Sequence, residues 1–134
     1  MKLLLSVLIS LFIITLNQNS QPISWVEQTS GVTTQLTSVS IVDDNHAWVC
    51  GYAGRVLRTT NGGTNWVSVN AAPIPGTLDL HTIYAIDSVT AIVGGSGSAS
   101  FLFRTSNGGA NWTQVFTETG GFINSVQMGN SFAG

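Results

Sequence analysis

The chain has 134 residues, only 7% of them charged, with four basic side chains against six acidic ones and 15 glycines. That length suits one domain, and the low charge with abundant glycine favours short strands and tight turns over exposed helices. The shortage of Lys and Arg excludes a nucleic-acid-binding field, and Cys50, the single cysteine, excludes an internal disulfide.

Met1-Lys2 and the apolar run from Leu3 to Leu16 read as a secretory signal peptide over residues 1–20. The run falls short of the ~20 residues that a spanning helix needs. The expected product is therefore exported, to the cell surface, the periplasm or the medium, and is not membrane-held after cleavage; the alternative is an uncleaved membrane anchor. Loss of Lys2 leaves three arginines against six carboxylates, a net charge of −3.

Residues 21–35 are expected to hold an outer strand, Ser24 to Gln28, and a linker. Two similar units follow. The first, residues 36–79, runs Leu36 to Asp43, Ala47 to Gly51, Val56 to Thr59 and then the turn Thr59-Thr60-Asn61-Gly62-Gly63-Thr64-Asn65-Trp66. The second, residues 80–122, runs Leu80 to Asp87, Ala91 to Gly95, Leu102 to Thr105 and then Thr105-Ser106-Asn107-Gly108-Gly109-Ala110-Asn111-Trp112. Their offset is 44 up to Gly51 and Gly95 and 46 from Arg58 and Arg104 onward, which places a two-residue insertion at a hairpin tip between Ser96 and Phe101. A fourth run opens at each tryptophan.

Four short β-rich runs in some 45 residues are the size of one β-propeller blade, a four-stranded antiparallel meander. Residues 123–134 repeat the start of a third blade. The fold expected is all-β, an incomplete propeller. Ser24 to Gln28 would be donated as the outer strand of a closing blade, and the remaining blades would belong to a longer chain. The rival is a two-blade module that oligomerises into a ring.

In the turn, glycine supplies positive φ at least steric cost. Asn61 and Asn107 are suited to bond the turn backbone and to tolerate left-handed φ. Each indole is expected to fold back over its own hairpin. Thr59, Asn61, Gly62, Gly63 and Trp66, with Thr105, Asn107, Gly108, Gly109 and Trp112, are thus read as structural. Their spacing resembles the Asp-box, or BNR repeat, with Asn in place of Asp. The longer pattern from Ala47 to Gly63 is similar to the repeats of the photosystem II stability/assembly factor-like family. The resemblance implies a propeller and leaves activity open, since Asp-box propellers include both glycosidases and binding scaffolds.

The function expected is a non-catalytic scaffold that binds a protein or a glycan. Its alternative is the N-terminal part of a sialidase-like or glucan-cleaving glycosidase. Such a sialidase would need three converging arginines and a carboxylate acid. Arg58 and Arg104 are repeat-equivalent and read as structural or solvent-facing. Arg55 has no counterpart, and with Tyr52 on the same hairpin it is the candidate interaction residue. Asp43 and Asp87 suit turn capping. His46 and His81 lack metal-ligand spacing. Gly94-Gly95-Ser96-Gly97 precedes a strand, which excludes a phosphate loop. No catalytic, cofactor or metal residue is assigned.

Overall fold

The computed structural model describes residues 24–129. The signal peptide expected over residues 1–20 and the last part of the third unit, residues 130–134, lie outside them. Eight strands form two four-stranded antiparallel sheets, each in simple sequence order. The first sheet holds β1 (Leu36–Ile41), β2 (Ala47–Gly51), β3 (Val56–Thr59) and β4 (Val67–Ser68). The second holds β5 (Asp79–Ala85), β6 (Ala91–Ser96), β7 (Ala99–Thr105) and β8 (Thr113–Thr119). Each sheet is one meander, as the repeat predicts. Asp79 opens the second sheet and so does not belong to the end of the first unit.

Registers repeat as well. Trp48 faces Arg58 and Ile92 faces Arg104 across their strand pairs. The two-residue insertion appears at Gly97-Ser98, where β6 turns into β7. It lengthens that hairpin and lets β8 pair with β7 as far as Ala99↔Thr119. β4 pairs only through Val67 and Ser68.

The core lies between the sheets. Trp48, Cys50 and Val56 of the first meet Leu80, Ile83, Ala91, Val93, Phe103 and Trp112 of the second. Each large apolar side chain buried there stabilises the fold by roughly 1.5–3 kcal/mol. Hydroxyls of β1 fix the neighbouring inner strand. Thr37 Oγ1 donates to the Leu80 carbonyl at 2.7 Å, and Ser40 Oγ accepts from the Ala85 N–H at 2.9 Å.

Beyond the two meanders, residues 24–35 contain no strand, nor do residues 121–129. An outer strand needs a third strand beside it, and none stands next to residues 24–28 among the described residues. Trp25 is accordingly 96% exposed. Val126 N–H donates to Thr82 Oγ1 at 3.1 Å, much as Ile83 N–H donates to Ser38 Oγ at 3.3 Å. Residues 123–128 therefore lie against β5 as β5 lies against β1. No helix among the described residues is long and apolar enough to cross a membrane.

Cys50 is fully buried, and burial pushes its thiol up to about 11. A thiol with a raised folded pKa adds stability that is whole below the ordinary value of 9.0 and fades as pH climbs toward 11. At pH 8 the native protein is expected to leave a thiol-specific disulfide reagent unreacted, and to consume one equivalent on unfolding in guanidinium chloride. Rapid labelling of the native protein would contradict this burial.

Candidate functional site

Threonine is the centre of the repeat turn. Thr59 Oγ1 accepts from the N–H groups of Gly63 (2.9 Å) and Asn61 (3.3 Å), and donates to Asn61 Oδ1 (3.0 Å), which accepts from Asn65 N–H (2.9 Å). Thr105 repeats the set with Gly109 (3.0 Å), Asn107 N–H (3.4 Å) and Asn107 Oδ1 (3.0 Å), and Asn111 N–H closes it at 3.0 Å. Only the side-chain oxygen of each asparagine enters these bonds, so Asn serves where the motif usually has Asp.

The positive φ angles fall on Gly62, Gly63, Gly108 and Gly109, as expected of the glycine pairs, and neither Asn61 nor Asn107 draws on its tolerance of left-handed φ. One sequence expectation needs correction here: the indoles do not fold over their own hairpins. Trp112 Nε1 donates across to the Val69 carbonyl of the first sheet at 2.8 Å, and its ring meets Trp48 edge-on at 6.3 Å. Trp66 Nε1 reaches Gln28 Oε1 at 3.3 Å. The tryptophan is a tie to the preceding unit, because the glycine pair leaves no side chain between it and that neighbour.

The turns share one end of the sheets with the β1–β2 and β5–β6 loops. Gly62 N–H donates to the Asn45 carbonyl and Gly108 N–H to the Val89 carbonyl. Asp43 and Asp87 cap those loops. Asp43 Oδ1 accepts from Asn45 and His46 N–H at 2.8 Å, and Asp87 Oδ1 accepts from Val89 (2.8 Å) and Thr90 (2.7 Å). Backbone hydrogen bonds hold both carboxyls below the usual carboxylate range, and the His46 ring adds to this at Asp43. Arg58 Nε donates to the Ser88 carbonyl at 2.8 Å while its guanidinium lies over the Trp48 ring at 5.3 Å. Arg104 is exposed.

At the opposite end stand the β2–β3 hairpin and the connection from β4 to β5. Ala53, in the left-handed region at φ 57°, shapes that hairpin. Its N–H bonds Asp79 Oδ1 at 3.3 Å, and Gly54 N–H bonds the Leu78 carbonyl at 2.6 Å. Tyr52 is partly exposed and meets the His81 ring edge-on at 6.2 Å. The His81 ring in turn lies 5.1 Å from Phe122, which is 67% exposed. Three rings, one from the first unit and two from the second, thus form one row. Arg55 is half-buried beneath this hairpin. Its Nη1 donates to Ser68 Oγ at 3.3 Å, and its Nε is buried with no partner among the described residues.

The structure therefore joins Tyr52 to two residues that sequence reasoning did not unite with it, His81 and Phe122. The signal was faint, since Tyr52, His81 and Phe122 follow no shared offset in the repeat. Arg55 and Arg58 lie toward opposite ends of β3, and Arg58 is turned to the neighbouring sheet. No grouping of three potential metal ligands occurs among the described residues.

A family model described as photosynthesis system II assembly factor YCF48 matches residues 17–132. Two solved structures share the fold. One, described as YCF48 bound to D1 peptide, is 18% identical with a TM-score of 0.54, over 67% of this chain and 28% of its own. The other, YCF48 from Cyanidioschyzon merolae, is 21% identical with a TM-score of 0.55, over 70% of this chain and 30% of its own. The chain spans under a third of the length of either. No curated protein matches it.

Proposed function

The chain belongs to the photosynthesis system II assembly factor YCF48 family, and from that membership we propose that it is part of an exported β-propeller that binds a segment of another protein without catalysis. The observation that carries this reading is the row Tyr52–His81–Phe122. Aromatic and arginine side chains dominate the energetics of protein interfaces. A row of rings that spans two units and is exposed at Tyr52 and Phe122 also fits an extended peptide better than a compact ligand. The exposed Tyr52 and Phe122 rings supply apolar contacts, and the half-buried His81 ring between them supplies a polar one.

One family structure is described with a D1 peptide bound, so that peptide is the first probe. A fluorescent D1 peptide is expected to raise its anisotropy on titration with this chain. The double variant Tyr52→Ala/Phe122→Ala should weaken binding by roughly tenfold or more, as loss of aromatic anchors does. Unchanged affinity in that variant would move the contact surface elsewhere. Saturable binding of oligosaccharides in place of the peptide would turn the reading to a glycan partner. Hydrolysis of a fluorogenic sialoside or glucan by the pure protein would overturn the non-catalytic assignment.

A further inference from the structure

Asparagine followed by glycine is especially prone to lose its side-chain amide, because glycine has no Cβ to obstruct ring closure. The chain carries this pair in both repeat turns, as Asn61-Gly62 and Asn107-Gly108, and both asparagines are exposed. In this reaction the deprotonated glycine nitrogen attacks the asparagine Cγ. A C–N bond forms, the Cγ–Nδ2 bond breaks, and ammonia leaves with the proton. Water then opens the cyclic imide at either carbonyl, giving aspartate or isoaspartate, and nothing is oxidised or reduced.

The folded turn opposes each part of this course. Asn61 Oδ1 accepts from Thr59 Oγ1 at 3.0 Å and from Asn65 N–H at 2.9 Å, and Gly62 N–H donates to the Asn45 carbonyl at 3.0 Å. Asn107 Oδ1 accepts from Thr105 Oγ1 and Asn111 N–H, both at 3.0 Å, and Gly108 N–H donates to the Val89 carbonyl at 2.8 Å. The glycine nitrogen cannot give its proton to solvent while it donates to that carbonyl. Nor can Cγ turn toward it while Oδ1 holds both donors. The two turns differ in what lies over them. Gly62 is exposed and is crossed by the exposed side chain of Gln28, whose Nε2 donates to the Gly62 carbonyl at 3.1 Å. Gly108 is half-buried, a Cβ there would lie 3.1 Å from Arg58 Nη1, and Gly109 lies beneath Val69.

We propose that Asn61 and Asn107 are sites of spontaneous deamidation that the folded turns keep shut, and that Asn61 reacts before Asn107. Reaction at each runs through local opening of its own turn, so its rate follows the free energy of that opening. The turn at Asn61 is covered by one exposed side chain, and the turn at Asn107 by β3, Arg58 and Val69 of the first unit. The products also differ in their fit. Aspartate keeps the acceptor oxygen that the threonine hydroxyl and the later N–H use, so the turn closes again. Isoaspartate adds a main-chain carbon within the span that Thr59 Oγ1 closes onto Gly63 N–H at 2.9 Å, and the turn stays open.

The test incubates the full chain in mildly alkaline buffer, with and without denaturing urea, and follows each asparagine by peptide mapping and mass spectrometry. In urea the two sites are expected to convert at similar rates. In the native chain both should slow by roughly tenfold or more, Asn107 more than Asn61. Methyl transfer by an isoaspartyl-specific methyltransferase separates the two products. Gln28→Ala, at an exposed position, should speed conversion at Asn61 and leave Asn107 unchanged. Asn61→Asp should unfold at the urea midpoint of the parent, while Asn61→Ala, which lacks the acceptor, should unfold earlier. Equal rates with and without urea, or faster native conversion at Asn107 than at Asn61, would overturn the proposal. So would a Gln28→Ala variant that speeds both sites alike, or an Asn61→Asp midpoint as low as that of Asn61→Ala.

Discussion

Trp112→Ala is expected to lower the unfolding free energy by about 3–5 kcal/mol, the range for truncating a buried aromatic ring. Trp66→Ala, the same change one repeat earlier, should cost only about 1 kcal/mol, within the usual range for less buried positions. Trp112 is 4% exposed, meets Trp48 edge-on and donates to a backbone carbonyl of the other sheet. Its removal opens a cavity between the sheets and leaves the Val69 carbonyl without that donor. Trp66 is half-exposed and bonds only the side chain of exposed Gln28. Urea denaturation of both variants, read as midpoints at a common slope, measures the difference. Equal losses would mean that the two turns do not differ in their surroundings.

The glycines beneath these indoles should differ in the same direction. Gly63 and Gly109 have φ of 86° and 87°, so alanine at either meets a left-handed penalty of about 1–2 kcal/mol. At Gly63 the new methyl group meets only the end of the Gln28 side chain, which can swing toward solvent. At Gly109 it would approach the Val69 Cβ at 2.6 Å and the Val69 carbonyl oxygen at 3.0 Å, where only movement of the backbone makes room. Overpacking of that kind adds about 1–3 kcal/mol. Gly109→Ala is therefore expected to lose about 2–5 kcal/mol in all, and Gly63→Ala only the left-handed share. Thermal or urea unfolding that ranks the two alike would show that Val69 yields as readily as Gln28.

Both contrasts arise because the repeat is symmetric in sequence and asymmetric in surroundings. The sequence was legible where a side chain acts on its own unit. Glycine pairs, strand runs and the period gave the two meanders and the site of the insertion. Reading failed where a side chain acts on the neighbouring unit. The indoles of Trp66 and Trp112 and the guanidinium of Arg58 all reach across by distances that no local spacing encodes. Thr59 and Thr105 were visible as motif members, but a hydroxyl that serves three turn groups leaves no mark beyond its own conservation of type between the two copies. The ring row was hidden for a further reason. Tyr52, His81 and Phe122 sit at a hairpin tip, in an inner strand and in a segment without regular structure, and only the way the units lean together aligns them.

The hydroxyl bonds between inner strands have a consequence for how the chain is made. Thr37 to Leu80, Ser38 to Ile83 and Thr82 to Val126 span 43, 45 and 44 residues, so each long-range bond reaches one period and no further. Entropy of loop closure is thus met in equal, moderate steps and never in one large one. In linear arrays of this kind, structure nucleates in one element and spreads to the next. A chain emerging from the ribosome can dock each meander on its predecessor as soon as one more period has been synthesised, and the serine and threonine hydroxyls of the finished strand set the register in which the next one arrives.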